Sequence, residues 1–321
     1  MEAHHEESTI DTHLPQQRSP KRLKTRRARQ LAVAAMILLL AVVCSWIPGV
    51  IGTAGAAVLP WLGLGLLAVL ITAVLVARRL IVLTLVPVLV WILAMAPSFP
   101  GLPVAGADGT TPITVSSQNV RAQSGGAAAS AAELADNGAD VVALTELDGE
   151  SLSAAREALS DDYPHSSAVG TVGIWSKYPI TDAEPLSLGL GWKRALRVEV
   201  QTPTTPLAVY VLHAASVRPG HQQDRDTMLA GLAEAVAADP ATALITVGDF
   251  NATSADPALS AIRAQADWVR PTDGSLGFTW PAAFPLARID QVFVRGLSVL
   301  SSTTIRAGNS DHLATVTSIA P

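Results

Sequence analysis

Val247-Gly248-Asp249-Phe250-Asn251-Ala252 follows directly on the apolar, partly β-branched run Ala243-Leu244-Ile245-Thr246. With Pro240 ahead of it and Gly248 breaking it, Ala243 to Val247 reads as a short buried strand. Asp249 and Asn251 then stand at its carboxyl end. Residues two apart in an extended segment project to the same side, so a carboxylate and a carboxamide can face one small polar object together. Taken alone, Asp-Phe-Asn is an Asx turn closing a strand. Its meaning depends on what ends the neighbouring strands.

Outward from this stretch, short strands alternate with Ala-rich helical segments. Strands are expected at Ile113 to Gln118, Asp140 to Leu144, Val172 to Ser176, Arg197 to Val200, Leu207 to Leu212, Ile289 to Val294, Val299 to Ile305 and Leu313 to Thr317. Helices are expected at Ala127 to Asn137, Ser151 to Leu159, Gln222 to Ala238 and near Pro257 to Ala266. Hairpins mixed with helical crossovers, and no internal repeat, predict an α/β fold of mixed sheets in layers.

The ends of these elements are consistently polar. Asn119 closes the first strand, Glu146 follows the second, and His213 closes the hairpin strand. Asp249 and Asn251 follow the organising strand, Asp290 opens a later one, and Asp311-His312 precedes the last. In a layered sheet such residues gather on one edge. Carboxylates held together repel, and they require a bound cation or raised pKa values. Oxygen donors without cysteine select a hard ion: Mg²⁺ first, Mn²⁺ second, Ca²⁺ third.

The N-terminal third is different in kind. The chain is 49% hydrophobic and 15% charged, with a mean hydropathy of +0.35, which argues that part of it lies in a membrane. Residues 1–100 carry a net charge of +5 and residues 101–321 a net of −10. Residues 1–30 read as a disordered tail ending in the basic cluster Lys21 to Arg29. Leu31 to Ile47, Val50 to Ala77 and Leu80 to Ala96 are each long enough to cross a hydrocarbon core of ~30 Å. Three transmembrane helices over 31–97 are therefore expected. Basic residues before the first span and Arg78-Arg79 between the second and third put those loops in the cytoplasm, and the chain beyond residue 100 outside it. No span carries an internal acid or base, so the helices read as an anchor. Residues 98–112 read as a Pro/Gly linker, and the single cysteine, Cys44, permits no intrachain disulfide.

Residues 113–321 resemble the endonuclease/exonuclease/phosphatase superfamily with the deoxyribonuclease I type of fold. The resemblance is carried by Ser117-Gln118-Asn119, Thr145-Glu146-Leu147-Asp148, Ile174 to Ile180, Leu212-His213, Gly248-Asp249-Phe250-Asn251, Thr279-Trp280, Arg288 to Phe293 and Ser310-Asp311-His312. It implies a four-layered α/β sandwich that hydrolyses phosphate esters with a divalent metal. It also implies roles: Glu146 as main metal ligand with Asn119 and Asp311 beside it, Asp249 as the base for the attacking water, and Asn251 on the phosphate. Asp290 would fix His312, which with His213 would bind phosphate oxygens. Thr145 departs from the glutamine of many relatives.

The substrate is open at this level among nucleic acid, a phospholipid headgroup and a small phosphoester. A domain of net −10 is a poor partner for duplex DNA. Lys177, Lys193, Arg194 and Arg197 read first as solvated surface and second as one groove. Among the tryptophans, Trp192 and Trp268 are candidates for contact, and Trp280 reads as core. The rival class is a non-catalytic sensor of a phosphorylated ligand. The complete set of acids and histidines argues against it.

Overall fold

The computed structural model describes residues 20–102, 111–218, 220 and 222–321. The tail before residue 20 and linker residues 103–110 lie outside the described residues. Three long helices come first: α1 (Pro20–Cys44), α2 (Val50–Val76) and α3 (Ile81–Met95), the last flanked by single 3-10 turns. Thr25–Cys44 of α1, the whole of α2, and α3 taken with its flanking turns, Arg78–Ser98, are each long and apolar enough to cross a membrane. The first helix starts well before Leu31, so the basic cluster is helical rather than part of a disordered tail. Arg, Lys, Leu and Ala are strong helix formers, and a helix already nucleated by its apolar part extends through them at little cost.

The rest of the chain runs β1 (Ile113–Asn119), α4 (Ala127–Asp136), β2 (Val141–Thr145), α5 (Gly149–Ala158), β3 (His165–Val169), β4 (Val172–Ser176), β5 (Ile180–Leu186), β6 (Ala195–Gln201), β7 (Pro206–His213), α6 (Gln222–Ala238), β8 (Leu244–Asp249), α7 (Ser260–Arg263), β9 (Asp267–Trp268), β10 (Asp290–Arg295), β11 (Ser298–Ile305) and β12 (Ala314–Ala320). The strands make two six-stranded sheets, ordered β11-β12-β1-β2-β4-β3 and β5-β6-β7-β8-β10-β9.

Side-chain alternation builds the layers. In β7, Leu207, Val209 and Val211 enter the core between the sheets, where they meet Val115, Val141, Ile174, Ile245 and Val292. The intervening Ala208, Tyr210 and Leu212 face the opposite way and pack with Met228, Leu229 and Leu232 of α6. The other sheet does the same: Val142, Leu144 and Trp175 pack under α4 and α5 with Leu134 and Ala155. A period-two strand with both faces apolar must be covered on both faces. The result is helix, sheet, sheet, helix, the expected four-layered sandwich.

Two register facts place the polar strand ends. β1 and β2 are parallel, with Asn119 beside Thr145, and β7 and β8 are parallel, with His213 beside Asp249. β10 runs antiparallel to β8, and Asp290 lies beside Asp249. Carboxyl ends of parallel strands and the start of an antiparallel one therefore meet at one edge.

Candidate active site

Asp249 is the centre of that edge. It is almost wholly buried, and its backbone neighbours across the sheet are His213 and Asp290. Asn251 N–H donates to its Oδ1 at 2.8 Å, and Asn119 Nδ2 donates to its Oδ2 at 3.0 Å. Gly248 makes the approach to β7 feasible. Its φ is +129°, and a Cβ there would collide with the Leu212 carbonyl oxygen.

Two groups of potential ligands share this carboxylate. Glu146, His213 and Asp249 place one ligand atom each within 4.8 Å of one another, and so do Asp249, Asp290 and His312. Glu146 follows β2 in the left-handed region, φ +58°. Asn119 and the Ala122 N–H support it, and His213 Nε2 lies 3.5 Å from its Oε1. His312 Nδ1 lies 2.9 Å from Asp290 Oδ2, while Asp290 Oδ1 is buried without a partner.

Electrostatics separate the roles. The hydrogen bond to His213 outweighs burial and, with Asn119, holds Glu146 down at about 2. Burial and then the neighbouring Asp290 charge push Asp249 up to about 6, against the opposing pull of His312 and His213. Burial works against a charged His312, but the charge and hydrogen bond of Asp290 prevail and raise it to about 9. At neutral pH the edge thus holds an ionised Glu146, a poised carboxylate and an imidazolium.

An open cleft of about 550 Å³ adjoins Glu146 and His213, lined also by Asp148, Trp192, Arg194 and Arg218. Oxygen and imidazole donors, a polar wall and an orphaned carboxylate oxygen fit a hard divalent ion.

The family model for the endonuclease/exonuclease/phosphatase family matches residues 116–312. The chain belongs to the endonuclease/exonuclease/phosphatase family. No curated protein matches the sequence. Among solved structures, a humanized TDP2 of D. rerio is 19% identical at a TM-score of 0.56, covering 65% of this chain and 98% of that one. D. rerio TDP2 complexed with a single strand DNA product is 19% identical at 0.55, covering 65% and 99%. An endonuclease/exonuclease/phosphatase of Bacteroides vulgatus is 16% identical at 0.55, covering 65% and 98%. At these identities the likeness is one of fold.

Within this family member the expected residues mostly converge. Glu146, His213, Asp249, Asp290 and His312 fall in the two groups, with Asn119 between Glu146 and Asp249. Asp311 belongs to neither group; it stands beside His312, whose charge it favours. The Asn251 amide is engaged by the Ala214 carbonyl at 3.1 Å and by Asp249 at 3.4 Å, so here it orients the carboxylate.

Arg194, first read as solvated surface, is a site residue. Its Nη2 lies 2.8 Å from both ring nitrogens of His213, and the charges of Asp249 and Glu146 act on it. The hairpin register could have found it: Gln201 pairs with Pro206 and Ala195 with Leu212, which sets Arg194 opposite His213. Thr171, whose hydroxyl lies 2.9 Å from His213 Nδ1, had no sequence signal. Arg197 lies elsewhere, in a buried pair with Asp239 at 2.9 Å, and Lys177 pairs with Asp140 at 3.7 Å. Trp280 is 42% exposed rather than core, because it opens a loop beyond the sheet edge.

Proposed function

We propose that this chain is a membrane-tethered, divalent-metal-dependent phosphoesterase, with Mg²⁺ the resident ion, that hydrolyses phosphodiester or phosphomonoester bonds. The observation that carries this reading is the pair of ligand groups meeting at one buried carboxylate of raised pKa, Asp249. Glu146 is the principal ion ligand, with Asn119 beside it and Asp311 at the margin. A bound divalent ion would neutralise phosphate charge and acidify water there.

The chain's own residues supply the rest. Asp249, near 6, accepts the proton of an attacking water close to neutral pH. Asn119 and Asn251 hold its two oxygens in place. His312, kept protonated by Asp290, places positive charge where a phosphate oxygen gains negative charge. His213 and Arg194 provide the opposite wall, and a guanidinium can fork onto two phosphate oxygens.

The domain organisation that accompanies this reading is a basic cytoplasmic tail, a three-helix membrane region, a linker and a catalytic domain over 113–321 on the exocytoplasmic side. The basic start of α1 and the Arg78-Arg79 turn after α2 support that orientation: Arg27 shares a pocket with Thr72 and Val76, just before those arginines.

The test is hydrolysis of bis(p-nitrophenyl) phosphate, single-stranded DNA and headgroup phosphoesters by the purified full chain, with Mg²⁺ and with chelator. Turnover that needs both the ion and Asp249 is expected. Equal turnover in chelator, or in Asp249→Asn, would sink the reading, and tight ligand binding without turnover would favour a sensor.

A further inference from the structure

Residues 280–287 form a loop whose ends bridge to each other, Trp280 to Ala287. Its middle turns large apolar side chains outward: Phe284 is 70% exposed and Leu286 36%. The loop also touches the apolar helices. Trp61 of α2 donates its indole N–H to the Leu286 carbonyl at 3.2 Å, and its ring lies 5.8 Å from that of Phe278.

Helix geometry fixes the depth of this contact. The basic residues of α1 and the Arg78-Arg79 turn that follows α2 mark one end of the bundle. From Arg78, Trp61 stands about 26 Å along α2 at 1.5 Å per residue, which is within a hydrocarbon core of ~30 Å. Tilt only shortens that height. With the arginines among the headgroups of one face, Trp61 can stand no farther out than the opposite boundary, where an indole is at home. Leu286 is there with it, and Phe284, two residues before it in the same loop, is within reach of the same boundary.

The loop is bonded into the active site. Ala282 N–H donates to the Asp311 carbonyl at 2.7 Å, and Leu313 N–H to the Thr279 carbonyl at 2.8 Å. The Thr279 hydroxyl accepts from Asp290 N–H at 3.3 Å. On the opposite side, Gln222 donates to Thr53, about 12 Å farther along α2. A domain of net −10 gains nothing from attraction to anionic lipid, so beyond its contacts with α2 the force available to this side of the domain is apolar insertion.

We propose that loop 280–287 is a bilayer-interface anchor. Phe284 and Leu286 enter the leaflet beside α2 and hold the Asp290–His312 side of the site against the headgroup layer, so that the site takes lipid-borne phosphoesters. The second half of this inference rests on the phosphoesterase reading; the anchor does not.

Depth is measured on the full chain carrying Cys44→Ser in phosphatidylcholine nanodiscs, with an environment-sensitive fluorophore on Phe284→Cys or on Glu184→Cys, an exposed position in β5. Brominated acyl chains should quench the label at 284 several-fold more than at 184, and iodide should do the reverse. Equal iodide quenching at the two positions would overturn the anchor. With phosphatidylcholine and phosphatidylglycerol in the discs, Phe284→Ser with Leu286→Ser should slow headgroup-phosphoester hydrolysis at least five-fold and leave soluble bis(p-nitrophenyl) phosphate unchanged. Cleavage of soluble single-stranded DNA with none of either lipid would overturn the lipid-borne substrate. Because quenching needs no turnover, an inactive chain with a lipid-quenched 284 label counts against the hydrolase reading alone.

Discussion

Replacing Asp290 with asparagine keeps the shape of the site and removes the charge that holds His312 protonated. His312 stands at about 9 against an ordinary 6.5, a difference of about 3 kcal/mol between its protonation states. Burial alone would drive a charged imidazole the other way, so in Asp290→Asn its pKa should fall below 6.5. At pH 8 the protonated fraction drops from about nine-tenths to about one-thirtieth. If imidazolium charge drives the reaction, activity at pH 8 falls about thirty-fold, and the alkaline limb of the pH–rate profile moves from near 9 to below 6.5. The stability linkage has the same sign. The raised pKa contributes fully below pH 6.5 and is lost as pH rises through about 9, so the variant loses most stability in neutral and acidic solution. An NMR titration of His312 alongside the rate profile on a soluble diester checks both. An alkaline limb that stays near 9 in Asp290→Asn would refute the reasoning.

Three further outcomes are expected. Asp249→Asn should abolish turnover yet stabilise the metal-free protein near pH 7 by up to about 3 kcal/mol, since a carboxylate raised from 3.8 to about 6 opposes folding once ionised; thermal melts in chelator read this, and a lower midpoint would count against it. Arg194→Lys should weaken substrate binding roughly ten-fold through loss of the planar fork, seen as a raised KM with the alkaline limb unmoved. Gly248→Ala should cost more than about 2 kcal/mol, because its φ is +129° and a Cβ meets the Leu212 carbonyl; urea unfolding of the full chain in detergent measures it.

The layered fold was legible because β7, β8 and β10 alternate side chains between two apolar environments, a pattern that composition and turn residues bracket cleanly. The site was legible for a related reason: Asn119, Glu146, His213 and Asp249 end strands whose direction the crossovers determine. What escaped depended on partners far along the chain. Arg194 looked like any surface arginine until the hairpin register set it against His213. Trp280 was read as core from its chemistry alone, yet it is 42% exposed at the start of a loop whose Leu286 carbonyl meets Trp61 of α2. The helical start at Pro20 was missed because a stretch with almost no apolar residues was taken as disordered, although lysine and arginine extend a helix readily.

The contact between α2 and the catalytic domain bears on what a tether does. Arg225 is fully buried and donates to Asp256 at 2.8 Å and to the Asn251 carbonyl at 3.1 Å, while its other terminal nitrogen reaches Thr53 of α2 at 3.0 Å. The backbone that carries Asn251, and through it the orientation of Asp249, is therefore joined to α2 by one side chain. Ala255 and Leu276 of the domain complete the packing of Leu59 and Met95 in the helical bundle. A free tether would need none of these contacts. Cutting the chain near residue 101 would expose that apolar surface and remove the Thr53 hydroxyl from Arg225, leaving it with Asp226 and Asp256. The anchor is thus part of the structure that holds the site in shape, and activity is best measured on the full chain, where α2 is in place.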